Sequence, residues 1–265
     1  DWLVVYGDVN STMATALVAA KLGVRIAHVE AGLRSGDRTM PEEVNRLVAD
    51  RLASLLLTPS RDAGEALRSE GVLPEQIVFV GNVMIDSLLH ALPSAIATGA
   101  ADRLGRPGEH VVVTLHRPSN VDDPTRLRAL IDALARIALV RPVLFPMHPR
   151  TRERLEQSNL DAGAAGLMDS LPYFEMVDLV RSAYAVVTDS GGLQEETTAL
   201  GVPCFTVRDN TERPVTVTEG TNQLVKHPSQ LPQLVAGVSR STSHNIPEGW
   251  DGRAAERVIA ALGDA

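Results

Sequence analysis

Short runs of β-branched and aliphatic residues alternate along the chain with longer stretches whose apolar positions recur every three or four residues. The short runs predict strands over 2–6, 25–29, 53–58, 77–80, 110–115, 142–147, 166–168, 184–188 and 203–207. The longer stretches predict helices over 10–22, 41–52, 61–70, 83–96, 123–139, 150–157, 173–182, 191–200, 228–239 and 252–263. This alternation describes repeated βαβ units and a parallel sheet. Continuous apolar strands such as Val111-Val112-Val113 suit a sheet covered on both faces. The pattern lapses between 97 and 109. There Ala97-Thr98-Gly99-Ala100-Ala101 is small and weakly patterned, and Gly105-Arg106-Pro107-Gly108 is turn chemistry. A second βα series starts at His110. The expected class is therefore α/β with two doubly wound domains, divided at about 103/104. Sheets of this kind bind ligands outside the carboxyl ends of their strands. A cleft between two such edges is expected, and the polar residues that follow each strand are the first candidates for chemistry.

Composition narrows the classes. Of 265 residues, 44% are apolar and 22% charged, which excludes a disordered, collagen-like or disulfide-scaffold chain. No apolar run reaches the ~18 residues of a membrane helix. The single cysteine, Cys204, cannot form an internal bridge and has no neighbouring His or Cys, so it reads as core in a reducing, cytoplasmic protein. The net charge of −8 argues against a general nucleic-acid binder, though not against a local cationic pocket for a small anion. The chain opens on Asp1 and passes at once into Trp2-Leu3-Val4-Val5-Tyr6, a pattern from which no targeting peptide is expected. It reads as a chain whose beginning lies further upstream.

Several strand ends carry polar clusters. The first strand runs into Gly7-Asp8-Val9-Asn10-Ser11-Thr12, where Asp8 is either a functional carboxylate or a helix cap. The second runs into His28-Val29-Glu30-Ala31-Gly32-Leu33-Arg34. Strand alternation places His28 and Glu30 on one side, and Glu30 is either a ligand contact or the ion-pair partner of Arg34. Met40-Pro41-Glu42-Glu43-Val44-Asn45-Arg46 follows, with Pro41 and two glutamates suited to a helix N-terminus. Carboxylates crowded at neighbouring loop ends raise one another's pKa and can divide acid and base roles. In the second half, His116-Arg117 ends a strand, a pair suited to an anion and to proton transfer; His148 ends the next. The strongest local signal is Thr188-Asp189-Ser190-Gly191-Gly192-Leu193-Gln194-Glu195-Glu196, an apolar strand running through Ser-Gly-Gly into a helix. Free N–H groups at a helix N-terminus bind phosphate, and Glu196 lies one turn inside, placed to accept from ribose hydroxyls. Arg213, in Asn210-Thr211-Glu212-Arg213-Pro214, is either a forked phosphate contact or a surface partner of Glu212. No His/Cys spacing suggests a metal.

Taken together, GDxxST, HVEAGLRS, MPEEVNR, the Gly81-Asn82-Val83-Met84-Ile85-Asp86 segment, LHR, TDSGGLQEE and NTERP occur in order over about residues 2–226. The set resembles the non-hydrolysing UDP-N-acetylglucosamine 2-epimerases. That resemblance implies two Rossmann-like domains in a GT-B arrangement, 1–103 and 104–250, and a helix over 251–265 that crosses back to the first. It implies interconversion of UDP-GlcNAc and UDP-ManNAc without metal or nicotinamide. A base removes the C2 proton as UDP leaves C1, and proton and UDP then add back to 2-acetamidoglucal. By motif matching, the resemblance assigns catalysis to Asp8, Glu30, Glu42 and His116. It assigns diphosphate binding to Ser190, Gly191, Gly192 and Arg213, the ribose to Glu196, and the uracil to backbone over Leu171 to Met176. Arg34, Arg117 and His148 are secondary candidates. A homodimer is expected, with no membrane or nucleic-acid partner.

Two departures from the family pattern stand out. The family's opening strand and GTRPE motif are missing, so the first domain is expected to be short of that element. Where many bacterial members read HRRE, this chain has His116-Arg117-Pro118-Ser119, which predicts weak or absent allosteric activation by UDP-GlcNAc. A hydrolysing epimerase, a GT-B glycosyltransferase and a silent nucleotide-sugar sensor remain as alternatives.

Overall fold

The computed structural model describes residues 1–158, 160, 163, 165–239 and 244–264. Contacts divide the chain into two compact units: Asp1–Ser87 with Thr211–Val215 and Pro247–Ala265, and Leu88–Asn210 with Thr216–Ile246. The division by contacts thus falls earlier than 103/104 and is not linear in sequence, because two later segments pack with the first unit.

In the first unit, β1 (Trp2–Tyr6), β2 (Arg25–Val29), β3 (Leu55–Thr58) and β4 (Ile77–Phe79) form a parallel sheet in sequential order. The connecting helices are α1 (Asn10–Lys21), α2 (Pro41–Leu52) and α3 (Arg61–Ser69); α4 (Val83–Ala97) follows β4. Val5, Ala16, Ile26, Leu56 and Leu67 form a core on one face of the sheet. Ala27, Val29, Leu55, Leu57 and Val80 form another with Val258. Leu55-Leu56-Leu57 is buried throughout, as a sheet covered on both faces requires.

The Gly81–Asp86 segment explains how the terminal helix packs here. The Asp86 carboxylate accepts from the N–H groups of Ala254 (3.1 Å) and Ala255 (2.7 Å), capping the last helix. Arg257 donates to the Val80 carbonyl at 2.6 Å. Gly81 has φ +84°, and a Cβ there would lie 2.0 Å from the Gly249 carbonyl oxygen. Glycine is therefore required both by conformation and by the close approach.

In the second unit, α5 (Ala100–Leu104) precedes β5 (Val111–Thr114), α6 (Pro118–Val121), α7 (Pro124–Ala138), β6 (Val143–Pro146), α8 (Pro149–Gln157) and β7 (Leu167–Met168). Then come α9 (Tyr173–Arg181), β8 (Ala185–Thr188), α10 (Gly191–Leu200), β9 (Cys204–Thr206), α11 (Val215–Thr218), β10 (Asn222–Leu224) and α12 (Leu231–Gly237); α13 (Ala254–Asp264) is the terminal helix of the first unit. All neighbouring strands are parallel, in the order β10-β9-β8-β5-β6-β7. The chain leaves β5 in one direction and returns at β8 on its other side. The switch point thus lies between β5 and β8, where a doubly wound sheet opens a crevice at its strand ends.

Leu127, Leu130 and Leu134 of α7 are wholly buried against this sheet, and Cys204 is buried in β9. Burial pushes the Cys204 thiol up to about 11, away from the range of a reactive thiolate. Four short elements escaped the periodicity. Residues 100–104, read as a break, form α5, held where the Asp178 carboxylate accepts from Ala101 N–H at 2.8 Å. The others, α6, α11 and β10, span three or four residues, less than a turn or two of any repeat. Among the described residues no helix is long and apolar enough to cross a membrane, and no group of three His, Cys, Asp or Glu side chains is placed to hold a metal ion.

Candidate functional site

The candidate residues form two clusters, one on each unit. On the first unit Glu30 follows β2 with φ +71°, the one non-glycine residue at positive φ among those described. A glutamate gains nothing locally from this conformation. Such strain persists where surrounding structure over-determines it, typically at functional sites. Here the backbone N–H groups of Glu30 and Ala31 both reach the Leu57 carbonyl at 3.1 Å. The buried Glu30 carboxylate accepts from Arg213 at 3.0 Å. It also sits against Gly7, whose Cβ, were there one, would lie 3.4 Å from Glu30 Oε2. Because β2 ends at Val29, strand alternation does not extend to Glu30. Arg34 does not pair with Glu30. It donates instead to Asp50 at 2.7 Å and, through both ends of its fork, to Glu70 at 2.7 and 2.8 Å.

The helix α2 supplies the supports of this cluster. Asn45 donates to the Asp8 carbonyl at 2.8 Å and to Asn10 Oδ1 at 3.0 Å. Arg46, 2% exposed, ion-pairs with both Asp8 and Glu43. The two glutamates of the motif part company. Glu43 is buried and accepts from Ser35 N–H, Gly36 N–H and Arg46, which together outweigh its desolvation and hold its carboxyl below the usual range. Glu42 is partly exposed and has no hydrogen-bond or ion-pair partner among the described residues. Glu43 is thus an internal brace and Glu42 a carboxylate at liberty to meet a ligand. Arg213 and Glu212 are both buried, so their ion pair is no surface contact.

On the second unit the cluster lies at the β5/β8 switch point. Thr114 and Thr188, opposite one another in the sheet, share a 2.6 Å hydroxyl hydrogen bond. Ser190 caps α10, accepting from Leu193 N–H at 3.5 Å. The N–H groups of Gly191 and Gly192, in the first helical turn, have no acceptor within the helix, the arrangement by which helix N-termini bind anions. His116 follows β5 and its Nδ1 lies 2.9 Å from Asp189, a fully buried aspartate. Asp189 also accepts from the N–H groups of His116 (3.1 Å) and Arg117 (2.9 Å) and from Asn120 (3.0 Å). Burial works against the charge, but these donors prevail and keep the carboxyl below its usual range. An ionised acceptor on Nδ1 assigns the proton there and leaves Nε2 for chemistry. Asp189 was legible as part of the TDSGG run, but only the fold shows that it orients His116. His148 caps α8, accepting from Arg150 N–H, with its ring 5.7 Å from that of His116.

Glu196 lies one turn into α10, 8% exposed. Its desolvation, with the neighbouring Glu195 charge, raises its pKa to about 7, against the opposing hydrogen bond from Tyr173. That hydroxyl donates at 3.1 Å and was not singled out from sequence, since α9 presents it only in three dimensions. Leu171 and Met176 pack partly buried beside the core of this unit.

A family model described as UDP-N-acetylglucosamine 2-epimerase matches residues 1–263. The UDP-N-acetylglucosamine 2-epimerase of Methanocaldococcus jannaschii is 37% identical over 99% of this chain and 75% of its own length. The UDP-2,3-diacetamido-2,3-dideoxy-D-glucuronate 2-epimerase of Pseudomonas aeruginosa is 44% identical over 84% of this chain and 63% of its own. The crystal structure of the M. jannaschii UDP-GlcNAc 2-epimerase in complex with UDP-GlcNAc and UDP superposes with a TM-score of 0.88 at 36% identity, covering 100% of this chain and 76% of that one. With a family model spanning nearly all of its residues, the chain belongs to the UDP-N-acetylglucosamine 2-epimerase family.

Proposed function

We propose that the protein interconverts UDP-N-acetylglucosamine and UDP-N-acetylmannosamine. The observation that carries the reading is that one chain of this family holds both a glycine-opened helix N-terminus at the second sheet's switch point and, on the first unit, a supported cluster of carboxylates. In this reading a carboxylate among Asp8, Glu30 and Glu42 takes the C2 proton. The C1–O bond breaks, its electron pair leaving with UDP, and a C1–C2 double bond forms. UDP carries the new negative charge. The Gly191 and Gly192 N–H groups, Arg213 and His116 stabilise that charge, while Glu196 holds the ribose. Return of the proton to the opposite face of C2, with re-addition of UDP at C1, completes the epimerisation. Neither a metal nor a redox cofactor enters these steps. A homodimer in the cytoplasm accords with the family resemblance.

A second reading concerns the sugar rather than the reaction. The 44% identity to the Pseudomonas aeruginosa protein favours a diacetamido uronate as substrate. One experiment tests both. Incubation in D2O with each nucleotide sugar, followed by proton NMR, is expected to show deuterium at C2 and the C2 epimer from UDP-GlcNAc. Exchange with the diacetamido uronate alone selects the second reading. Free N-acetylmannosamine as product moves the protein to a hydrolysing reaction, and exchange with neither sugar overturns the proposal.

A further inference from the structure

His28 is wholly buried at the end of β2, and both of its ring nitrogens are hydrogen-bonded. Nδ1 lies 2.6 Å from Asp50 Oδ1, and Nε2 lies 2.8 Å from the Gly7 carbonyl oxygen. A carbonyl only accepts. Asp50 accepts as well: Gly32 N–H reaches its Oδ2 at 3.1 Å and Arg34 at 2.7 Å, so it is an ionised carboxylate. Two acceptors on one ring require two ring protons, and a ring with two protons is an imidazolium.

The place of this charge matters. Gly7 has φ +62° and begins the turn that carries Asp8. Its carbonyl is held by His28, while its Cα side faces the Glu30 carboxylate. We propose that His28 is a standing imidazolium and a positioning residue, which clamps the Gly7–Asp8 turn and lends the Glu30 carboxylate a buried positive charge. His28 touches neither substrate nor reacting atoms.

The surrounding charges are consistent with it. Burial alone pushes His28 down, but the Asp50 hydrogen bond and charge, the Gly7 carbonyl and the Glu30 charge overcome it and the ring titrates above its ordinary value. The other charged groups around the pair are Arg34, which neutralises the far side of Asp50, Arg46 on Asp8, and Arg213 on Glu30. His28 is thus the cation behind the cluster, and Arg46 and Arg213 are the cations beside it.

The direct test is nitrogen NMR of the full chain labelled with 15N-histidine, the His28 signal being assigned by its loss in His28→Asn. Two protonated ring nitrogens at pH 7.5 are expected. A neutral ring with one unprotonated nitrogen at that pH overturns the proposal, whatever the enzyme does. A second arm rests on the epimerase reading. It follows the pH profile of C2 deuterium exchange in His28→Gln, which keeps a donor but loses the charge. The acid limb is expected to move up by about one pH unit, because Glu30 loses a neighbouring cation. The exchange rate is expected to fall at least tenfold, with KM changed less than threefold. An unmoved acid limb overturns the electrostatic role, since a merely structural residue leaves the profile in place. A wild-type protein that exchanges no C2 proton sinks the epimerase reading and leaves the NMR result to decide this one.

Discussion

The Tyr173 hydroxyl donates a 3.1 Å hydrogen bond to the carboxylate of Glu196, a residue that burial drives toward protonation near neutrality. This single contact links the start of α9 to the inner face of α10. It determines how available Glu196 is as an acceptor.

A pH dependence of binding follows. In the proposed function Glu196 accepts from the ribose hydroxyls, for which the ionised carboxylate is the stronger acceptor, and with a pKa of about 7 most of it is protonated at pH 6 and most ionised at pH 8. The dissociation constant for UDP-GlcNAc, whose diphosphate does not titrate in this range, is expected to be about tenfold weaker at pH 6 than at pH 8. The Tyr173 hydrogen bond holds the pKa down. Tyr173→Phe is therefore expected to move this transition to higher pH and to narrow the preference for UDP-GlcNAc over its 2′-deoxyribose analogue. Calorimetry of both ligands across pH measures it.

The two glutamates of the MPEEVNR motif are expected to fail in different ways. Glu42→Gln removes a carboxylate with no partner among the described residues. It should leave the melting temperature within a degree or two while C2 exchange falls by about 10²-fold or more. Glu43→Gln breaks a buried ion pair with Arg46 and sets an NH2 donor against one of the two backbone N–H groups the carboxylate accepts from. It should destabilise the protein by about 2–4 kcal/mol. Thermal unfolding and exchange assays on the same two variants separate the outcomes.

Asp189→Asn keeps the shape beside His116 but removes the charge that fixes its tautomer. Loss of the correct tautomer is expected to cost about 10²–10⁴ in turnover with little change in UDP affinity. Equal loss of both would show instead that the β5/β8 crevice had collapsed.

The terminal segment's latch is expected to be a stability determinant. Gly81→Ala places a methyl group 2.0 Å from the Gly249 carbonyl oxygen at φ +84°. Asp86→Ala uncaps α13. The cap substitution should cost about 1 kcal/mol and the glycine substitution more. Hydrogen exchange in α13 is expected to rise in both, ahead of exchange in β2 and β3.

The pH dependence of stability has a defined sign in the His28–Asp50 pair. His28 titrates above its ordinary value, so its contribution is full at acid pH below about 6.5 and is lost as pH rises through the elevated value. Asp50 is held low against its burial by His28 and Arg34, so its contribution is lost only as pH falls through that depressed value. Chemical denaturation across pH is expected to show the loss on the alkaline side in the wild type and not in His28→Asn.

The sequence by itself determined the alternation of strands and helices, the parallel class of both sheets and the positions of the chemistry-bearing loops. These are properties of periodicity, of Gly and Pro punctuation and of motif spacing, all read over a few neighbouring residues. The family resemblance was likewise legible in the order of GDxxST, HVEAGLRS, MPEEVNR and TDSGGLQEE. Only the tertiary structure decided which partner each polar residue takes. Arg34 turned to Asp50 and Glu70 rather than Glu30, Glu43 became a brace and Glu42 did not, and Asp189 was revealed as the residue that orients His116. The left-handed turn at Glu30 and the doubly bonded His28 were equally out of reach. Ion pairs and buried hydrogen bonds join residues tens or hundreds of positions apart. Their partners are selected by geometry and by the cost of leaving a buried polar group unpaired, and neither leaves a period in the chain.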